Sequence, residues 1–303
     1  MNERFRGCLV GLALGDSLGA AFEGMPPGDY EPSCKAPLFY TDDTEMMLNL
    51  SESIIERGEV VPEDLARHFI EGLNPQRGYG YGTLRVLSLI RSGVPIERAT
   101  SMVFREGSKG NGASMRVAPV GLLYWFDRER IVEAATRAST VTHTHPVAID
   151  GAVAIALSVG MILQGSSREQ IPGEIIKYMK TNLMRGKIDA LMGLLERGCS
   201  REEVIRLLGN GVLTEESVPT AIYCFLRYGD DFMRAIGFSI SLGGDADTIS
   251  AMTGALCGAW LSRGSLPPEC VERLEDRERI ISNADGLYEL SEAIYRDFSK
   301  HGE

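Results

Sequence analysis

The chain has 303 residues, 44% of them hydrophobic, enough to bury a sizeable core as one large domain or two ordinary ones. Its 42 acidic side chains against 31 basic ones leave a net charge of -11 with no basic run, which argues against a nucleic-acid groove, where phosphate neutralisation supplies most of the affinity. The six cysteines are scattered without a Cys-x-x-Cys pair and read as reduced thiols of a cytoplasmic protein.

In chain order, the first segment carries Gly7, Gly11, Gly15 and Gly19 at every fourth position, a spacing that puts all four on one helix face and lets another backbone approach closely. Arg4 and Arg6 ahead of the apolar run 8–15 imitate a signal peptide, but Asp16 and Glu23 interrupt the place of a cleavage site, so secretion is not expected. Asp42 with Glu45 predicts a capping box opening a helix that carries Met47, Leu50 and Ile54 and stops at Gly58. Pro62 and Pro95, each followed by an acidic residue, mark further helix starts. The apolar run 152–163 is too short to span a bilayer and reads as a buried helix. Ser200 with Glu203 makes another capping box, and Gly254 with Gly258 repeats the four-residue glycine spacing.

Helical punctuation recurs throughout, whereas strand-like alternation is scarce. The expected fold is all-α. No linker rich in Pro, Gly or Ser divides the chain, so residues 1–303 are read as one compact multi-helix domain.

Two short segments carry more polar chemistry than packing requires: Thr41-Asp42-Asp43-Thr44 and Gly243-Gly244-Asp245-Ala246-Asp247-Thr248. Either alone is most simply a helix N-cap. A cap needs one side-chain oxygen, however, and two such segments offer a surplus of carboxylates that repel one another unless a cation joins them. Hard oxygen donors without thiolate or imidazole favour magnesium, manganese or calcium over zinc. The loop Gly110-Asn111-Gly112-Ala113-Ser114-Met115-Arg116 can hold a pyrophosphate on free backbone N–H groups, or be only a turn. His143-Thr144-His145 resembles the His-x-His of zinc hydrolases, but it lacks the strand that motif needs, and each histidine reads more simply as a helix-end or core residue. Glu23 alone reads as a solvated acid.

Taken together and in this order, these segments resemble the ADP-ribosylglycohydrolase family, which includes the dinitrogenase reductase-activating glycohydrolases. The resemblance runs from Gly7 to about Leu261 through the stretch Gly15-Asp16 to Glu23, the Thr41 to Thr44 turn, Arg77-Gly78-Tyr79-Gly80, the Gly110 to Arg116 loop, Thr142-His143 and the Gly243 to Thr248 turn. It implies an all-helical fold with a binuclear cleft holding two divalent cations, magnesium or manganese. It implies that Thr41, Asp42 and Asp43 hold one ion, that Glu23, Asp245, Asp247 and Thr248 hold the other, and that Asp247 touches both. Glu23, Asp42 and Asp247 are then the catalytic acids, and Gly110, Asn111, Gly112, Ala113, Ser114, Met115, Arg116 and His143 contact ADP-ribose, with Tyr79 and Gly80 bordering the cleft. Two departures are visible: Ala246 stands where a threonine is common, and Ala113-Ser114 alters the usual order of small residues.

The implied reaction is hydrolysis at C1 of the ribose, releasing ADP-ribose from a modified protein side chain or a small conjugate. No nucleic acid or membrane is expected as a partner. The rival readings are a catalytically inactive ADP-ribose-binding or crystallin-like relative, and a terpene-synthase-like enzyme, which would want an aromatic-lined cavity that 7% aromatic residues hardly supply.

Overall fold

The computed structural model describes residues 1–301. Sixteen α-helices follow in chain order: α1 (Asn2–Gly19), α2 (Asp42–Arg57), α3 (Pro62–Glu71), α4 (Tyr81–Arg91), α5 (Ile96–Val103), α6 (Ala118–Leu123), α7 (Arg128–Thr140), α8 (Pro146–Leu163), α9 (Gln170–Ile175), α10 (Asn182–Glu196), α11 (Arg201–Leu207), α12 (Thr214–Tyr228), α13 (Phe232–Ser241), α14 (Ala246–Leu261), α15 (Pro268–Arg273) and α16 (Arg277–His301). Among the described residues the only β pairing is two isolated bridges, Leu38 with Leu274 and Gly110 with Leu213. The all-α expectation is met.

The centre of the molecule is the seam between α1 and α14. A Cβ on Gly7 would lie 2.2 Å from the carbonyl oxygen of Gly258, one on Gly11 2.3 Å from that of Gly254, and one on Gly15 2.0 Å from that of Ser250. Side chains there would push the helices apart, so the four-residue glycine spacing on both partners is what lets the backbones touch. Around this seam one contiguous apolar core runs from Phe5 through the α8 and α12 side chains to Leu287. By length and composition α1 and α8 pass for membrane-crossing helices, but 78% and 89% of their apolar windows lie inside the protein. They are core helices of this fold.

The helix boundaries follow capping chemistry. Gly58 ends α2 in the left-handed conformation at φ 78°, Pro62 occupies the first turn of α3, and Ser200 and Glu203 form the reciprocal box that opens α11. The helix expected to open at an Asp42 cap instead has Thr41 as its cap, whose Oγ1 accepts from the Asp43 N–H. Glu45 does not return to the cap. Its Oε1 is taken by the Asn74 N–H at 2.8 Å and the Tyr79 hydroxyl at 2.7 Å, tertiary partners that no local pattern announces.

One cysteine expectation is corrected. Cys34 and Cys270 are paired as a disulfide, while Cys8, Cys199, Cys224 and Cys257 are free. The pair is 236 residues apart in sequence, and it meets because the segment before α2 folds onto α15, with Leu38 donating to the Arg273 carbonyl and accepting from the Glu275 N–H. Spacing along the chain carries no trace of that contact.

Candidate active site and metal centre

The first acidic turn is built by a residue on another helix. Asp16, fully buried near the end of α1, accepts from the Thr41 N–H (3.0 Å), Thr41 Oγ1 (2.8 Å), the Thr44 N–H (3.1 Å) and Thr44 Oγ1 (2.5 Å). One carboxylate thus binds the first turn of α2 on its two threonines. This leaves Asp42 and Asp43, the first two residues of α2, to line a cleft of about 270 Å³. Thr41 itself does not line the cleft: its hydroxyl is engaged by Asp16 and Asp43.

The second turn depends on two glycines. Gly243 and Gly244 have φ of 65° and 69°, and a Cβ on either would meet backbone oxygen, that of Met25 at 2.5 Å or that of Asn210 at 2.1 Å. The same close approach carries a clasp: the Gly24 N–H donates to the Gly244 carbonyl at 2.7 Å and the Gly244 N–H to the Met25 carbonyl at 3.0 Å. Glu23 is thereby delivered beside α14. Ligand oxygens of Glu23, Asp245 and Asp247 all lie within 4.8 Å of one another. Asp245 sits at the cap position of α14 yet makes no capping bond, its carboxylate being held instead by a short hydrogen bond from Asn111 Nδ2. The cap explanation fails for that residue.

The two turns meet. Thr248 Oγ1 donates to Asp43 Oδ1 at 3.3 Å across 205 residues of sequence, and Glu23, Asp42, Asp43, Asp245, Asp247 and Thr248 all line the same cleft. Burial is the first cause of the resulting electrostatics and mutual repulsion the second. Asp42 is pushed up to about 7 by burial, then by Asp16, Glu23 and Asp245. Asp247 is pushed up to about 9 by burial, then by Asp245, Glu23 and Asp16. Asp43 rises well above the usual carboxylate range for the same two reasons, and its Oδ2 is buried without a hydrogen-bond partner.

No lysine or arginine is among the residues lining this cleft. The contrast with the other acidic convergence is informative: Glu56, Asp64 and His68 also come together, but there Arg67 donates to both Glu56 and Asp64 at 2.9 Å. The cleft acids have no such side chain. An oxygen-only donor set with an orphaned carboxylate oxygen and no internal cation fits hard divalent ions of the magnesium and manganese kind.

Gly110, Asn111, Gly112, Met115 and His143 also line the cleft. Ala113, Ser114 and Arg116 do not. Arg116 is 1% exposed and donates inward to the Gly112 and Ala138 carbonyls and to Thr142 Oγ1, so the expected contact of these three residues with substrate gives way to a supporting role. Asn111 to Ala113 form a 3-10 turn, and Ala113, Ser114 and Arg116 are all buried away from the cleft lining. His143 is held neutral, pushed down to about 3 by burial and then by Arg116. His145 caps α8, accepting from the Val147 N–H at 3.1 Å, the plain helix-end role.

Gly80 borders the cleft, but Tyr79 is buried beneath it on Glu45. Ala246 is fully buried and away from the lining, so the missing threonine removes nothing from the cleft wall. Sequence reasoning missed Gly82, Thr83, Phe104, Ser108 and Val212 in the lining, and the role of Asp16. Only Asp16 had a signal, an acid inside a glycine-striped apolar helix.

The chain matches the ADP-ribosylglycohydrolase family over residues 1–297. It is 34% identical to the chicken (Gallus gallus) ADP-ribosylhydrolase ARH3, over 95% of this chain and 93% of that one, and 31% identical to the human protein of the same name over the same shares. An uncharacterised protein of Archaeoglobus fulgidus is 35% identical over 98% of this chain and 99% of its own. A solved structure described as an ADP-ribosylglycohydrolase-related protein complex superposes with a TM-score of 0.77 at 29% identity, covering 96% of this chain and 98% of that one. With its full-length family match, its relatives above 30% identity and a helical fold that encloses an acidic cleft, the chain belongs to the ADP-ribosylglycohydrolase family.

Proposed function

We propose that this protein is a metal-dependent hydrolase that releases ADP-ribose from a modified protein side chain or a small ADP-ribose conjugate. The observation that carries this reading is the convergence of two acidic turns and Glu23 in one cleft that has no basic lining residue and whose lining includes a glycine-rich loop.

In this reading Asp42 and Asp43 hold one divalent cation and Glu23, Asp245, Asp247 and Thr248 the other, with magnesium or manganese as the ions. When bound, the ions supply positive charge toward the ribose hydroxyls and make water a stronger acid. The protein does the rest. Asn111 holds Asp245 in place, and because the Gly110 and Asn111 N–H groups already donate to Ser108 Oγ and the Val212 carbonyl, the Gly110 to Gly112 segment gives the diphosphate room for close approach more than a row of free donors. Neutral His143 contacts the ligand from the cleft lining. Glu23, exposed at the mouth, orients or deprotonates the water that attacks C1 of the ribose as the leaving group departs through an oxocarbenium-like transition state.

The test is release of free ADP-ribose from arginine-linked and serine-linked modified proteins and from small conjugates, each with magnesium, with manganese and with chelator. Metal-dependent release from at least one substrate is expected. Tight ADP-ribose binding without release from any of them would leave an inactive binding relative.

A further inference from the structure

Arg116 is a large charged side chain placed entirely inside the protein, with its guanidinium 4.6 Å from the centre of the Phe69 ring. Burying an arginine is unfavourable unless its hydrogens find acceptors. Three are met: the Gly112 carbonyl at 3.0 Å, the Ala138 carbonyl at 3.2 Å and Thr142 Oγ1 at 2.8 Å. The third bond continues, because Thr142 Oγ1 is also 2.7 Å from His143 Nδ1.

The direction of that last bond follows from counting hydrogens. Arginine only donates, so Thr142 Oγ1 must accept from it. The threonine hydroxyl then has one hydrogen to give, and the His143 Nδ1 is the only acceptor it meets among the described residues. If Nδ1 carried the ring hydrogen, the Thr142 hydroxyl hydrogen would be buried without an acceptor, a loss of about 1–3 kcal/mol. The bare-Nδ1 form gives both the Thr142 hydroxyl and His143 Nδ1 a partner, leaving only Arg116 Nε without one in this group. It leaves the ring hydrogen on Nε2, which no described side chain or backbone group bonds, on a residue that lines the cleft.

The ring is fixed as well as the hydrogen. The His143 N–H donates to the Ser139 carbonyl at 2.8 Å, and a Cβ on residue 112 would stand 2.7 Å from His143 Cε1, so the glycine at 112 makes room for the imidazole.

We propose that Arg116 and Thr142 are positioning residues that lock His143 in its Nε2–H tautomer, making it a permanent hydrogen-bond donor to an acceptor oxygen of the bound ADP-ribose. The ligand in this statement rests on the function proposed above; the relay itself does not. Substrate acceptors of the matching class are phosphate oxygens and ribose hydroxyls, whereas a group that only donates is rejected at this position.

The experiment uses the full chain labelled with ¹⁵N, the His143 signals being assigned by their loss in His143→Gln. In the wild type Nδ1 should resonate as a bare ring nitrogen and Nε2 as a protonated one. Thr142→Val keeps the β-branched shape and removes the hydroxyl, and it should mix the two tautomers and weaken ADP-ribose binding about 3- to 10-fold, the value of one hydrogen bond. KM for the hydrolysed conjugate should rise by the same factor with kcat little changed. Thr142→Ser should restore both the signature and the affinity. A protonated Nδ1 in the wild type, or an unchanged signature in Thr142→Val with its melting temperature intact, overturns the relay. A wild type with the expected signature that does not bind ADP-ribose supports the relay and overturns the assigned ligand and the proposed function.

Discussion

Asp247 belongs to the cleft by contact and by charge: its carboxylate accepts from the Thr248 N–H at 2.8 Å and is raised to about 9 by burial and three neighbouring acids. Asp247→Asn keeps the acceptor and removes the charge. Turnover should fall by at least about 10²-fold, as for the loss of a group that acts on the reacting centre, while the melting temperature of the metal-free protein should change little at neutral pH, where Asp247 already holds its proton, and should rise only above about pH 9. Unchanged turnover would make Asp247 a mere helix-end residue. Glu23→Gln should lower kcat by about 10²- to 10⁴-fold if Glu23 handles the proton, with ADP-ribose affinity unchanged, and excess metal should restore part of the rate only if Glu23 is chiefly a ligand. Titrating activity against manganese for both proteins separates the two. The acids of the two turns were legible in the sequence because they outnumber what capping needs. Glu23 was legible only by resemblance, since the clasp between Gly24, Met25 and Gly244 that brings it in is made of backbone hydrogen bonds. Arg116 was misplaced because a loop sequence does not say which residues face the cleft, and Phe104 was missed because an exposed aromatic carries no signal of its own.

At the scale of elements, the glycine spacing on α1 and α14 was read correctly as packing, although nothing in it says that the two stripes face each other. Gly11→Ala puts a methyl group 2.3 Å from the Gly254 carbonyl oxygen, so the helices must separate. A loss of about 1–3 kcal/mol or more is expected in denaturant unfolding. Because α1 carries Asp16 and α14 carries Asp247, the shift should also weaken metal affinity by calorimetry. Gly193→Ala on α10 is the control: a Cβ there meets nothing within 4 Å, and the substitution should stabilise the protein by about 0.4–1 kcal/mol. Equal effects of the two would mean that the seam is loosely packed. Helix starts were placed well where the signal is local, as at Ser200, and one residue late at α2, where a buried acid on α1 selects Thr41 as the cap.

For the molecule as a whole, the cleft acids set a pH dependence with an unusual sign. Asp42 and Asp247 hold their protons more tightly folded than unfolded, being raised by burial and neighbouring acids from the ordinary carboxylate range to about 7 and about 9. The folded state therefore binds more protons than the unfolded one between those values, and metal-free stability should decline as pH rises from about 4 through 9. Divalent cations compete with those protons and need the carboxylates bare, so the stabilisation conferred by manganese should grow over the same range. Thermal melts at pH 5.5 and 8.5, with and without manganese, test both signs. A metal-free protein that becomes more stable toward pH 8.5 would show that the acids are not buried together in solution.

The α1 and α14 seam also has a consequence for how the chain is made. The partner of α1 is α14, and Gly7 and Gly258 touch only after 251 further residues have been synthesised. Until then α1, apolar enough to pass for a membrane span, has only smaller contacts, such as those with α2 and α6, to cover its surface, and such long-range contacts form slowly. On the ribosome, nascent chains that end before α14 should recruit holding chaperones through α1 and resist release, and those extended past Leu261 should let go. The helix at the centre of the finished protein is made first and must wait for its main partner.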